Sequence, residues 1–342
     1  RREIATSLLG TLATLSVFGL GATMVIDGQM TPGALIAFSG LVGAVMGPLA
    51  ALAGVYDEVQ ELRIAVERVN DVLDLPRETG GGLSPCPPLT GRICFENVSF
   101  AYDADATKTV LSEINLDIPA GSSVAFVGPS GSGKSTLARL INRLLDCTEG
   151  RVLIDGLDVK QIEPGSLRRQ IGMVEQSPYV FSGSIRENIA KARPGVSFDQ
   201  IVTAARMSGA ADFIEKFPMG YNTRVGEGGR SLSGGQAQRL VIARAIASDP
   251  RILVLDEATS ALDTESETFV KRGLDAAMVG RTTIAVAHRL KTIMDADMIV
   301  VLDRGRIVET GTHDALIAKG AVYHKLWTAG TNPEKGPQDV TA

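Results

Sequence analysis

Aromatic side chains are scarce in this chain of 342 residues, at 5% with a single tryptophan, Trp327. Charged residues reach only 21%, and there is no basic excess: the formal net charge is -5 and the pI is near 5.4. A nucleic-acid-binding face normally shows as clustered Lys and Arg, so this balance argues against DNA or RNA as a partner. The cysteines Cys86, Cys94 and Cys147 are odd in number and lack CxxC pairing. Neither a disulfide framework nor a zinc site is indicated, and they read as reduced, structural thiols. No internal repeat is visible, which argues against solenoids and propellers. An initiating methionine is also missing: the chain opens Arg1-Arg2-Glu3, and the run that follows is longer and more apolar than a signal peptide and has no small-residue cleavage pattern. We read the start as a truncation. What the chain does have is aliphatic surplus, with a 44% hydrophobic share and a mean hydropathy of +0.14. Its length exceeds one ordinary domain.

The surplus is concentrated near the start. No charged residue occurs from Ile4 to Ile26 or from Gly28 to Tyr56, and each run meets the roughly 20 residues needed to cross a bilayer. Two membrane spans, about 4–26 and 33–56, joined by a turn around Asp27–Pro32, are the expectation. Arg1 and Arg2 flank the far end of the first, so the positive-inside rule puts the turn outside and both distal ends in the cytoplasm. The competing reading is a buried helical hairpin of a soluble protein. Beyond Tyr56, Val59, Leu62, Val66, Val69 and Leu73 form one apolar stripe, which extends the second helix past the membrane. Pro76, Gly80–Gly82, Pro85, Pro87 and Pro88 then mark a linker over 76–91. From Arg92 to about residue 329, strand-like and helical patterns alternate, which predicts a largely parallel sheet covered by helices. Residues 330–342 read as a disordered tail.

Gly128-Pro129-Ser130-Gly131-Ser132-Gly133-Lys134-Ser135 fits G-x-x-x-x-G-K-[ST], placed after the apolar strand Ser123–Val127 and before a helical pattern starting at Thr136. Glycines let the backbone curl so that N–H groups point at phosphate oxygens, and the helix adds its positive end. Lys134 is placed for the β- and γ-phosphates and Ser135 for Mg²⁺. Alone, the string also fits a Gly/Ser turn. Arg251–Glu257, an apolar strand ending in two acids, has the arrangement of a Walker B segment: Asp256 to hold Mg²⁺ through its water shell, Glu257 to face the attacking water as general base or orienting group. The two together read as a nucleotide-hydrolysis site.

Between them stands Leu232-Ser233-Gly234-Gly235-Gln236. With this segment the sequence resembles the ATP-binding cassette (ABC) ATPases, whose signature is LSGGQ. It is a second Ser/Gly loop opening a helix, suited to an anion, and the resemblance implies that it closes in trans on ATP held by the P-loop of a second chain. Further positions match in order. Tyr102 matches the aromatic residue that stacks on adenine, and Gln176 the Q-loop glutamine that senses Mg²⁺ and the γ-phosphate. Ser260–Asp263 matches the D-loop, with Asp263 as its acid, and His288 the switch histidine. The resemblance thus implies ATP and Mg²⁺ as cofactors, with ATP on Tyr102, Gly128, Ser130, Gly131, Ser132, Gly133, Lys134, Ser135 and Thr136. It implies Mg²⁺ at Ser135, Gln176 and Asp256, and Glu257, Gln176 and His288 as catalytic residues. His313 and His324 read as structural. One departure stands out: where exporters often carry Gly-Glu-Arg-Gly, this chain has Val225-Gly226-Glu227-Gly228-Gly229-Arg230, which keeps the acid and displaces the arginine.

A cassette behind membrane helices resembles an ABC exporter half-transporter, whose fifth and sixth helices the two runs would be, with four earlier helices and their intracellular loops missing. The expected fold is thus an α-helical transmembrane hairpin followed by an α/β P-loop NTPase domain with a β-rich subdomain and a helical insert at about 177–243. Leu41–Val45 with Pro48-Leu49, and Val66–Asp74 with Pro76, look like the corresponding region of bacterial exporters that secrete peptides or proteins. Lipid or multidrug export is the alternative, and a soluble non-transport ABC ATPase a further one. The implied partners are a second half-transporter, identical or related, the lipid bilayer, and a peptide or protein to be exported. The implied setting is the bacterial inner membrane with the ATPase in the cytoplasm. Gly21, Gly40, Gly43 and Gly47 are expected to serve close helix packing.

Overall fold

The computed structural model describes residues 2–75, 78, 82–102, 109–256, 264–286 and 294–331. The chain divides into two compact units, Arg1–Glu78 and Thr79–Ala342.

The first unit is two helices, Arg2–Ile26 and Pro32–Leu73. The second starts cleanly because Thr31 caps it, accepting from the Ala34 amide at 3.2 Å, and because Pro32, at the first helical position, has no amide proton to leave unpaired. Near the turn, the Leu35 side chain fills the space that a side chain on Gly21 would need. Gly40, Gly43 and Gly47 have nothing within 4 Å of where a side chain would start. Among the described side chains of this unit, the packing role expected of the four glycines is seen only at Gly21. Large apolar side chains stand exposed on both helices, among them Leu20 (70%), Ile36 (69%) and Leu41 (66%), and the stripe of Val59, Leu62, Val66, Val69 and Leu73 is exposed throughout. Among the described residues, no helix is long and apolar enough to cross a membrane. The side chains of residues 1–10, 13, 49, 50, 53 and 57, which interrupt the apolar tracts, lie outside that description.

The second unit is built on a six-stranded sheet in the order Arg306–Gly311, Met298–Asp303, Ser123–Val127, Thr282–Val286, Ile252–Asp256, Ile171–Val174. Five of its strands run parallel, and the last in sequence, Arg306–Gly311, is an antiparallel edge. Strands such as Ile-Leu-Val-Leu-Asp are buried at every position, as expected where helices cover both faces. A four-stranded antiparallel sheet, Thr109–Ile118, Ile93–Ala101, Glu149–Ile154, Leu157–Asp158, lies in the same unit, and Phe95, Ile114 and Ile154 from it share one apolar core with Phe126 and Leu137. The expected insert is helical, with Ile185–Ala190, Phe198–Met207, Ala211–Ile214 and Gly234–Ile246 around a separate core that includes Ile189, Leu240 and Leu255.

The stretch expected to be a linker is in part fastened to this unit. Ser84 bridges Ile162, the Cys86 amide donates to Ser166 Oγ at 2.8 Å, and Gln170 binds both the Leu89 amide at 2.9 Å and the Pro87 carbonyl at 2.7 Å. Prolines here shape an extended strap rather than free a chain, and Leu89 is buried. Positions 76, 77 and 79–81 of that stretch, and 332–342 of the expected tail, lie outside the described residues.

Candidate nucleotide site

In a parallel sheet, loops at the carboxyl ends of the strands make the binding crevice. The register aligns those ends here: Val301 pairs with Val127, Phe126 with Val286, Val286 with Asp256, and Leu255 with Val174. Gly128, Asp256 and the segment carrying Gln176 therefore leave the sheet on the same side.

The loop 128–133 curls as its sequence requires. Gly131 and Gly133 have φ of 77° and 101°, where glycine alone is unstrained. A side chain at Gly128 would strike the Leu302 carbonyl, and one at Gly133 would lie 2.6 Å from Leu111. The turn at Gly305 braces the loop from behind, donating to Ser132 O at 3.2 Å while its own carbonyl accepts from the Ser112 amide at 2.9 Å. Lys134 is buried and its Nζ donates to the Gly128 and Pro129 carbonyls, both at 2.9 Å, so the ammonium is drawn across the loop mouth. The Lys134–Ile141 helix begins there with no side-chain cap, leaving its first amide protons for a ligand.

Ser135 Oγ donates to Asp256 Oδ1 at 3.1 Å, uniting the two motifs, and Asp256 is buried. The Tyr102 hydroxyl meets Thr136 Oγ1 at 3.2 Å. Its ring stands edge-on to Phe100, centroids 4.9 Å apart, and is 57% exposed, so a face is free for a base to stack on. Gln176 follows the Ile171–Val174 strand and is exposed. Glu257, Asp263 and His288 lie outside the described residues.

The donor set fits a nucleotide triphosphate with its metal. Ser132 Oγ is buried without a hydrogen-bond partner among the described residues. The space beside Gly131 is open, and a hydroxyl and a carboxylate, Ser135 and Asp256, face each other as oxygen ligands for Mg²⁺.

The signature lies in the other core. Leu232 packs against the helical cluster, while Ser233 and Gly234 are exposed. Ser233 caps the Gly234–Ile246 helix in a reciprocal box, accepting from the Gln236 amide at 3.3 Å while Gln236 Oε1 accepts from the Ser233 amide at 3.0 Å. A cap of this kind contributes about 1 kcal/mol. Reading the sequence missed the bracing by Leu302 and Gly305, the Tyr102–Thr136 contact, and Arg244, which binds three acceptors around Tyr179 and Asn188.

A P-loop followed by a buried Walker aspartate at the carboxyl edge of a parallel sheet defines a P-loop nucleotide-binding domain. Residues 111–260 match the family model described as ABC transporter. The chain is 45% identical over 320 residues to the cyclolysin secretion/processing ATP-binding protein CyaB of Bordetella pertussis, covering 94% of this chain and 45% of that protein. It is 47% identical over 308 residues to the toxin RTX-I translocation ATP-binding protein of Actinobacillus pleuropneumoniae, 90% of this chain and 43% of that one. To the alpha-hemolysin translocation ATP-binding protein HlyB of Escherichia coli it is 46% identical over 300 residues, 88% and 42% respectively. Among solved structures, a bacterial Atm1-family ABC exporter with ATP bound aligns with a TM-score of 0.71 and 37% identity, over 98% of this chain and 58% of that chain. The chain thus spans less than half the length of these curated relatives. Its second unit carries a domain that matches the ABC transporter family over residues 111–260.

Proposed function

We propose that this chain hydrolyses ATP at the interface of two cassettes and uses the cycle to drive protein or peptide export across the bacterial inner membrane. The observation that supports the exported class is the 45–47% identity to toxin secretion and translocation proteins along about nine-tenths of the chain. Lipid or multidrug export is the second reading. The helical unit is the membrane part on this reading. A Leu or Ile side chain left in water rather than buried costs about 1.5–3 kcal/mol, and both helices expose many, so an apolar surrounding has to cover them.

Two copies, or this chain with a related one, would meet head to tail. Lys134, the loop amides and Thr136 hold the phosphates, and Tyr102 supports the base. Mg²⁺, held through Ser135, Asp256 and Gln176, supplies charge neutralisation at the phosphates. Glu257 takes up the proton of the attacking water or orients it, and His288 holds the geometry at the γ-phosphate. Ser233 and the amides after it close the second side of the partner's site. Positioning and charge stabilisation carry the chemistry.

Turnover of the full chain in lipid nanodiscs tests the site. Lys134→Ala is expected to lose nucleotide binding, and Glu257→Gln to bind ATP while hydrolysis falls at least about a hundredfold, the scale of general-base loss. Near-normal hydrolysis by Glu257→Gln would remove it as the base.

A further inference from the structure

The loop 225–230, with its acid kept and its arginine displaced, is the motif that the ATP site leaves unused. Its backbone passes through two successive left-handed glycines, Gly228 and Gly229, both at φ 69°, where side chains are strained. A side chain on Gly229 would in addition press on Val180 at 3.2 Å. This turn lets the Gly228 amide donate to the Val180 carbonyl at 2.9 Å and presents Glu227 Oε1 to the Tyr179 hydroxyl, which donates to it at 2.9 Å. The bond holds the phenol's pKa above its ordinary value. The Tyr179 ring also meets Phe181 edge-on, centroids 5.0 Å apart.

Arg244, from the helix that the signature opens, grips the same segment. It donates to the Tyr179 carbonyl at 2.8 Å, to the Asn188 carbonyl at 2.9 Å and to Asn188 Oδ1 at 2.8 Å, and its guanidinium lies 4.9 Å from the Phe181 ring centre. Burial pushes its pKa down to about 10, which still leaves it charged at neutral pH. On the far side of the loop, the Leu232 amide donates to the Gly229 carbonyl at 2.8 Å, next to Ser233. The segment just after Gln176 is therefore tied at two points to the segment that presents the signature. In a head-to-tail dimer these serve different nucleotides: Gln176 the chain's own, Ser233 the partner's.

We propose that the Tyr179–Glu227 clasp sets the signature relative to the Gln176 segment, making both residues positioning residues through which occupancy of one ATP site is felt at the other. The proposal rests on the head-to-tail ATPase reading. Neither side chain touches nucleotide on this view, so ATP affinity at a chain's own P-loop is insulated from the clasp.

The test uses the full chain in nanodiscs. Tyr179→Phe keeps the ring and deletes the donor; Glu227→Ala deletes the acceptor; Glu227→Gln retains an acceptor oxygen. Both residues are exposed, and melting curves check that each variant folds. Tyr179→Phe and Glu227→Ala are expected to lower kcat about three- to tenfold, the range of one hydrogen bond of ordinary strength. The Hill coefficient for ATP is expected to fall toward one, while binding of fluorescent ATP to dilute protein stays unchanged. Glu227→Gln is expected to restore most of the turnover, and the double variant Tyr179→Phe/Glu227→Ala to be no worse than either single change. Unchanged kcat and cooperativity in Tyr179→Phe, multiplicative losses in the double variant, or losses that appear in ATP affinity alone would overturn the clasp. A wild-type chain that binds ATP without hydrolysing it would overturn the ATPase reading itself, and the clasp with it.

Discussion

At the scale of single residues, Tyr102 is held before any nucleotide arrives, by Phe100 at its edge and Thr136 at its tip. A stacking ring fixed in advance loses less freedom on binding. Tyr102→Phe, which keeps the face and loses the tip, is expected to weaken ATP binding about two- to fivefold, within the range of a neutral hydrogen bond. Tripolyphosphate, which has no base to stack, should bind unchanged; calorimetry with both ligands decides. An equal loss for both would place the hydroxyl on the phosphates instead. This contact was not legible in the sequence, because Tyr102 and Thr136 belong to different motifs and nothing in either spacing links them. The Ser135–Asp256 pair was legible, because each sits at a fixed place in a motif whose chemistry demands the other. The bracing of Gly128 by Leu302 was hidden for a different reason: a carbonyl contact leaves no mark on side-chain identity.

Among elements, the end of the strap 84–91 at Thr90 and Gly91 is fastened by one carboxylate. Asp155, in the two-residue turn between Glu149–Ile154 and Leu157–Asp158, has φ 51° and Gly156 has φ 80°, the geometry an Asp-Gly hairpin turn favours. Its oxygens accept from the Thr90 amide and hydroxyl, each at 2.6 Å, from the Gly91 amide at 3.1 Å and from the Arg92 amide at 2.9 Å. Burial pushes the carboxyl's pKa up, but the bonds from Thr90, Arg92 and Gly91 outweigh it, and the group sits below its ordinary value. A depressed carboxylate contributes stability that is present above the unfolded pKa, about 3.9, and lost as pH falls through the folded one. Protease cleavage within 84–91 is therefore expected to rise in Asp155→Asn at neutral pH, and the difference between variant and wild type to close under acid. A gap that does not narrow as the pH is lowered, measured with pepsin, would mean that the charge is not what holds the strap. Proline and glycine content predicted a linker here because composition reports what a segment cannot form. It does not report that Gln170 and Asp155, far along the chain, supply partners for its amides. The parallel sheet was legible, since continuous apolar strands write their burial into local order, whereas the helical insert was expected only through the resemblance to ABC ATPases.

For the whole molecule, the P-loop packs with one buried cluster and the signature segment with the other, so the two half-sites proposed for one cassette do not share a core. If each chain closed its own signature on its own ATP, damage to either would be confined to that chain. If the sites are shared, Ser233→Arg and Lys134→Ala spoil opposite halves, and mixing them rebuilds one intact site from the P-loop of the first and the signature of the second. Losing the Ser233 cap costs about 1 kcal/mol, too little to unfold a domain of ordinary stability, so an inactive Ser233→Arg chain remains a competent donor of its P-loop. Equal mixing makes about half of the dimers mixed, each with one good site of two, so turnover should recover to at most about a quarter of wild type. The measurement is ATPase activity of each variant alone and of the pair co-reconstituted in one bilayer. Recovery on mixing requires the shared site. Two silent variants that stay silent together would mean that each cassette works by itself, and any pairing of two chains would then have to be sought in the unit of two helices.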